Sequence, residues 1–303
     1  MKSRLFLYVS LGVDLGIAVC KFVAAAFTGS ASMLSEGIHS VIDAISQVLL
    51  IWGERTSRRP PNATRPFGYG KEIYFWSFIV SLIIFTVGGC ISFYEGFSSF
   101  KKPQTDVHPV WNYSILAIAF IFNSISLVSA FKAFNKQRGK SSFWKEIVNS
   151  KDPSTFIVML SDIGDLLGLF IAFLGIFLGR LLNNSYCDAI ASMMIGVVLI
   201  VISALLVRES KSLLMGETTS RKTVRKVVKL AEADDAIVKV KKQFSMYMGP
   251  EEVLLHINAV FRDDLTTHEI TDAIERVSIS IKKEYPRIKQ LFIEPVAGES
   301  QRK

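Results

Sequence analysis

Long apolar stretches alternate with short basic gaps as far as about residue 207, where the chain changes character. Six stretches approach the roughly 20 residues needed to cross hydrocarbon as a helix. They fall at about 5–28, 32–54, 72–98, 110–134, 154–179 and 185–207. The first two are joined by the tight turn Thr28-Gly29-Ser30-Ala31. Beyond 207 the pattern is that of a small folded domain. Residues 220–233 predict an amphipathic helix, with Val224, Val227, Val228 and Leu230 set among Arg and Lys. Alternation predicts strands over 236–246 and from Val253 to Val260, with Gly249-Pro250 marking the turn between them. Thr267 offers an N-cap with Glu269 close behind, and Ile270, Ile274, Val277 and Ile281 form a helical stripe. Ile288 to Ile293 reads as a last strand. The pattern predicts an all-α six-helix membrane bundle over 1–207. It is followed over 208–303 by an α+β domain of order α-β-β-α-β, with helices on one face of a small sheet.

Composition agrees with a membrane protein. Half the residues are hydrophobic, yet the net charge is +8. A nucleic-acid binder would carry such charge on one face of a soluble domain. Here much of it sits in the gaps between apolar runs, so nucleic acid is excluded as a partner and the lipid bilayer is expected instead. Cys20, Cys90 and Cys187 show no CxxC spacing and predict neither a metal knuckle nor a disulfide framework. They read as small buried hydrophobes. The first apolar run is too long for a cleavable signal and lacks a small-residue cleavage site.

The basic residues also orient the bundle. Lys2 and Arg4, then Arg55, Arg58, Arg59, Arg65 and Lys71, then Lys132, Lys136, Arg138, Lys140, Lys145 and Lys151 fall on one side. The other side has Lys101, Lys102 and Arg180. The positive-inside rule places both termini in the cytoplasm.

Ionisable groups within the apolar stretches carry the chemistry. Glu36, His39 and Asp43 are spaced i, i+3, i+7 and share one helical face. His39 and Asp43, one turn apart, can grip one ion. The fifth stretch adds Ser161, Asp162 and Asp165. Two carboxylates a turn apart in an apolar helix repel unless a cation or proton relieves them. With His39 and Asp43 they would complete a site of nitrogen and oxygen ligands suited to zinc, and open to manganese or ferrous iron. Intramembrane ionisable groups cost about 2.5–3.5 kcal/mol each on insertion scales and mark ion pathways. Other polar groups read as structural. Asp14 and Lys21 share a face and suit a salt bridge. Asp188 suits a cap of the sixth helix, which it begins, or an outer vestibule, Asn123 an interhelical hydrogen bond, and Glu95 lies near water. Gly164, Gly168, Gly175 and Gly179 predict close packing of the fifth helix.

The stretch from Thr28 to Asp43, ending in the His39/Asp43 pair, resembles the second-helix signature of the cation diffusion facilitator family of divalent metal/proton antiporters. Arg65-Pro66-Phe67-Gly68-Tyr69-Gly70-Lys71-Glu72 resembles the opening of its third helix, and Ser161-Asp162 with Gly168 its fifth-helix motif. Six helices followed by a ferredoxin-like cytoplasmic domain is the family's architecture, so the resemblance covers nearly the whole chain. It implies His39, Asp43 and Asp162 as metal ligands. The family's zinc-type site places a second His where this chain has Val158. Asp165, Glu36, Ser161 or water is then left to fill the fourth position, with water or Asp165 favoured. Losing an imidazole makes the site harder, which raises iron, manganese or cobalt beside zinc. Asn62, Arg65 and Tyr69 stand where the family's auxiliary loop site has acids and histidines, so no metal is expected there. The resemblance also makes His256 and His268 candidates for a regulatory metal in the cytoplasmic domain, beside Asp263, Asp264 and Glu294, and implies a homodimer through that domain.

The expected function is secondary active transport: export of a divalent metal cation, zinc first, from the cytoplasm in exchange for protons. The metal is the cargo, and no cofactor is expected. A channel would need a continuous polar stripe. A membrane-anchored sensor would depend on His256 or His268 and not on Asp162. An enzyme is not expected, since no nucleophile–base pair or HExxH motif appears. Short loops and compact length point to a bacterial inner membrane.

Overall fold

The computed structural model describes residues 2–101, 109–137, 153–184 and 186–298. Lys102 and the basic gap from Arg138 to Lys151 lie outside the described residues, as does the side chain of Asp14. The described chain divides into two compact units, 1–56 with 72–211 and 57–71 with 212–303.

The first unit is helical. Its helices are α1 (Lys2–Thr28), α2 (Ala31–Ser57), α3 (Glu72–Lys101), α4 (Pro109–Gln137), α5 (Pro153–Leu181) and α6 (Tyr186–Met215). Each matches one apolar stretch. Among the described residues α2, α3, Phe156–Leu181 of α5 and α6 are long and apolar enough to cross a membrane. Shorter apolar runs cover Leu15–Thr28 and Tyr113–Ile125. The protein is an integral, multi-pass membrane protein. Its outer surface shows why hydrophobicity alone could not locate the core. Leu15, Val19, Val23 and Phe27 form an exposed apolar stripe on α1, and Phe170, Phe173 and Phe177 one on α5. In lipid such faces need no burial. The cysteines follow the same logic and correct the expectation that they are buried: Cys20 and Cys90 are exposed and Cys187 is partly so.

Small residues set the helix contacts. Gly29 at φ 70° ends α1 in the left-handed conformation, its N–H reaching Ala25 O at 2.8 Å. On α3, a Cβ at Gly89 would fall 2.5 Å from Ile200, and one at Gly96 2.6 Å from the Met193 nitrogen. Gly196 of α6 meets the Phe93 backbone as closely. Three glycines thus seat α3 on α6, and the π-helical segment Ile84–Ile91 of α3 includes the first of them. Gly175 of α5 would overlap Ala191 if it carried a Cβ, so α5 also packs closely on α6. Serine hydroxyls complete the interior: Ser35 and Ser192 are 2.6 Å apart, and Ser192 donates to Ser92 O at 3.1 Å. Asp188 at the start of α6 caps the N-terminus of α2. It accepts from Ala31 N at 2.6 Å, Ser32 N at 3.3 Å, Ser30 Oγ at 3.0 Å and Ser32 Oγ. A carboxylate there satisfies orphan N–H groups and faces the positive end of the helix.

The second unit has the expected order: α7 (Arg221–Ala231), β1 (Ile237–Gly249), β2 (Glu252–Phe261), α8 (Thr267–Glu284) and β3 (Ile288–Pro295). Strand order is β1-β2-β3, antiparallel then parallel. Alternate residues of β2, from Val253 to Phe261, are buried, and Val227, Ala273, Val277 and Ile281 of the helices join the core. The cap of α8 is Thr266 rather than Thr267, in a full capping box with Glu269. The loop 57–71 is organised by Asn62, whose Oδ1 accepts from Thr64 and Arg65 while its Nδ2 donates to Tyr69 at 2.7 Å. Arg65 lies over the Tyr69 ring.

Arg276 of α8 forks onto Asp234, both bonds at 3.1 Å, and holds its carboxyl below the usual range. A depressed folded-state value stabilises the fold above the unfolded value of about 3.9 and loses that contribution as pH falls through the folded one. Arg276→Ala is therefore expected to speed amide exchange across 232–240 at neutral pH, with the gap from the parent closing on acidification. An equal gap at neutral and acid pH would contradict this.

Candidate metal site

The polar face of α2 is buried although the helix is apolar around it. Glu36 is 0% and His39 1% exposed. Such groups are tolerated in a bundle only against partners from other helices. α5 supplies one of them. Asp165 Oδ1 stands 2.5 Å from His39 Nε2, and Asp43 Oδ2 stands 3.4 Å from the same nitrogen. Among the described residues His39, Asp43 and Asp165 form a group whose ligand atoms all lie within 4.8 Å of one another. Their side chains are 2%, 13% and 12% exposed.

The close approaches are not aligned as hydrogen bonds. Both ring nitrogens of His39, Asp43 Oδ1 and Asp165 Oδ1 are buried without a hydrogen-bond partner. Orphaned buried polar atoms are costly, by about 1–3 kcal/mol each and more where charged. Orphans that converge from two helices onto one small volume form a ligand set, one imidazole nitrogen with carboxylate oxygens, suited to a first-row divalent ion.

Beside the cluster lies a small cavity. Asp43, Ser46, Gln47 and Leu50 of α2 line it, with Ile157, Val158, Ser161, Asp162 and Asp165 of α5, Asn123 of α4 and Ile17 of α1. Asp162 and Ser161 thus share the cavity with two members of the cluster without joining the tight group. Val158, at the position where the resembled site has a second imidazole, also lines this cavity, and its side chain carries no ligand atom.

Glu36 does not join the group either. Its Oε2 pairs with Lys21 Nζ at 2.9 Å, and Lys21 also donates to Ser40 Oγ at 2.8 Å. Lys21, read above with Asp14, is committed to α2. Sequence reasoning missed this partner, and it placed the Asp188 cap on α6 rather than on α2. The one signal for Lys21 was that Glu36 lies a turn before His39 on the buried face. In the second unit His256 pairs with Glu294 at 3.1 Å and stacks on Phe244, while the exposed His268 stands 3.5 Å from Asp272. Among the described residues neither histidine belongs to a group of three potential ligands.

Residues 7–215 match the family model described as the cation efflux transmembrane domain. The mouse proton-coupled zinc antiporter SLC30A9, mitochondrial, is 32% identical over 219 residues, covering 72% of this chain and 39% of the relative. Metal tolerance protein C4 of Arabidopsis thaliana is 28% identical over 72% of this chain and 48% of its own length. The manganese efflux system protein MneP of Bacillus subtilis is 24% identical over 96% of this chain and 95% of its own. The chain spans about two fifths of the length of the SLC30A9 relatives it matches.

Proposed function

The chain belongs to the cation diffusion facilitator family, and from that premise we propose that it exports a divalent metal cation from the cytoplasm in exchange for protons. The observation that carries this reading is the convergence of His39, Asp43 and Asp165 as buried, orphaned donors on facing helices. With a neutral imidazole and two ionised carboxylates the cluster carries two negative charges, which one divalent ion balances. Left empty in that state, two buried carboxylates would be strongly unfavourable, so the cluster holds either metal or protons. Metal binding needs neutral imidazole and ionised carboxylates, and metal and protons therefore displace each other. Coupling follows if rocking of the helices exposes the cluster to one side at a time.

Asp162, Ser161 and water in the adjoining cavity are the available sources of a fourth ligand, Asp162 being the strongest donor among them. Zinc accepts one nitrogen with several oxygens, and the same set admits manganese, iron or cobalt. Zinc is placed first. The names of the relatives include both a zinc antiporter and a manganese efflux protein. A homodimer through the second unit fits its exposed apolar sheet residues, Val238, Phe244 and Phe292. Both termini are assigned to the cytoplasm on the basic gaps, and a bacterial inner membrane suits the near end-to-end match with a bacterial relative. The full chain in proteoliposomes with an imposed pH gradient tests the function. Saturable uptake of zinc or another divalent ion that collapses with the gradient is expected. Uptake of no divalent ion, or uptake indifferent to the gradient, would refute antiport.

A further inference from the structure

Beyond the cluster, on the side away from the cavity, the interior is closed by charge. Three layers stack along α2 and α5. Asp43 and Asp162 line the cavity, and His39 and Asp165 stand in close approach. Glu36 and Gly168 come next, one helical turn further in both helices. A Cβ on Gly168 would meet Glu36 Oε1, so a larger residue there would push the carboxylate from its present place in this layer. Lys21 enters the same layer from α1 and spends its donors on Glu36 Oε2 at 2.9 Å, Ser40 Oγ at 2.8 Å and Glu36 O at 3.4 Å. Ser40 Oγ in turn donates to Glu36 O at 3.0 Å. Lys21 is 1% exposed, and Glu36 Oε1 remains buried without a partner. Neither Lys21 nor Glu36 lines the cavity, although Ser40, which Lys21 bonds, does.

A buried ion pair is poor value for stability alone, since well-packed apolar residues of similar size do as well or better. Its place suggests another use. An ion leaving the cluster away from the cavity meets first a carboxylate already neutralised by a tethered ammonium. A divalent cation gains little from a carboxylate whose charge is already balanced and is repelled by the ammonium, and in a low-dielectric interior that repulsion is weakly screened. Resting on the transport function proposed above, we propose that the Lys21–Glu36 pair is the seal of the cargo pathway. It blocks cation passage beyond the cluster in this state and opens only when α1 shifts relative to α2. The pair is a gating element and not a cargo ligand.

The test uses the full chain and zinc, with manganese, iron or cobalt in its place should the parent bind no zinc. Zinc binding is measured in detergent, and passive downhill zinc flux in proteoliposomes with no pH gradient. The parent, Asp165→Asn, Glu36→Gln and the neutral pair Lys21→Met/Glu36→Gln are compared. The neutral pair is expected to bind zinc like the parent and to leak, its passive flux rising roughly tenfold or more as the barrier falls. Glu36→Gln leaves the ammonium without its counter-charge and is expected to bind zinc but pass none, in either direction. A purely structural pair would not drive the two variants to opposite flux. A neutral pair as tight as the parent, or a Glu36→Gln chain that leaks, overturns the seal. If the parent binds neither zinc nor manganese, iron or cobalt, or Asp165→Asn binds as the parent does, the cargo site itself is wrong. The two failures are therefore distinguishable.

Discussion

Asp165→Ala is expected to abolish metal transport. The substitution removes the oxygen that faces His39 at 2.5 Å from the opposite helix, leaving His39 and Asp43 on α2 alone. Losing an outer-shell partner of a metal site already costs about 10–100-fold, so loss of a direct donor is expected to exceed about 100-fold in uptake. The fold should survive, because deleting one of two facing carboxylates relieves repulsion in the empty site. Asp43→Ala is expected to behave alike. Asp162→Ala should weaken transport too, since its carboxyl lines the adjoining cavity and is the strongest remaining donor. Uptake by a folded Asp165→Ala chain at the parental rate would remove this residue from the site.

Lys21→Met alone destabilises the bundle. It strands Glu36, 0% exposed, between helices with no cation to face. Removing one partner of a buried pair costs about 3–5 kcal/mol. Thermal unfolding in detergent should show a marked drop for Lys21→Met and recovery of most of it in Lys21→Met/Glu36→Gln, where no buried charge is left unpaired. A single variant that melts with the parent would mean that Glu36 is not held as an ion.

The elements were legible because each obeys a local rule. Twenty-residue apolar runs became α1 to α6, and period-two alternation became β1 and β2. The α-β-β-α-β order followed from turn residues and stripes. The relations between helices were not legible. Periodicity puts Glu36, His39 and Asp43 on one face but is silent about what faces them. Asp162 and Asp165 are both a plausible match from α5, and only the rotation of α5 against α2 brings Asp165 onto His39 while Asp162 opens to the cavity. Lys21 was read toward Asp14 because both lie on α1, whereas its partner Glu36 lies 15 residues on, across the α1–α2 turn. Asp188 was readable as a cap, but the helix it caps is α2, 157 positions away from its Ala31 partner. The cysteines misled for a related reason: in a bilayer an apolar position is as well placed outside as inside.

The central claim is that His39, Asp43 and Asp165 converge to hold the cargo ion. Equilibrium zinc binding to the purified full chain, with Asp165→Asn beside it, tests this most directly. The account predicts one tight ion per chain, displaced on acidification, and absent from the Asp165→Asn chain. Equal binding by parent and variant would contradict it.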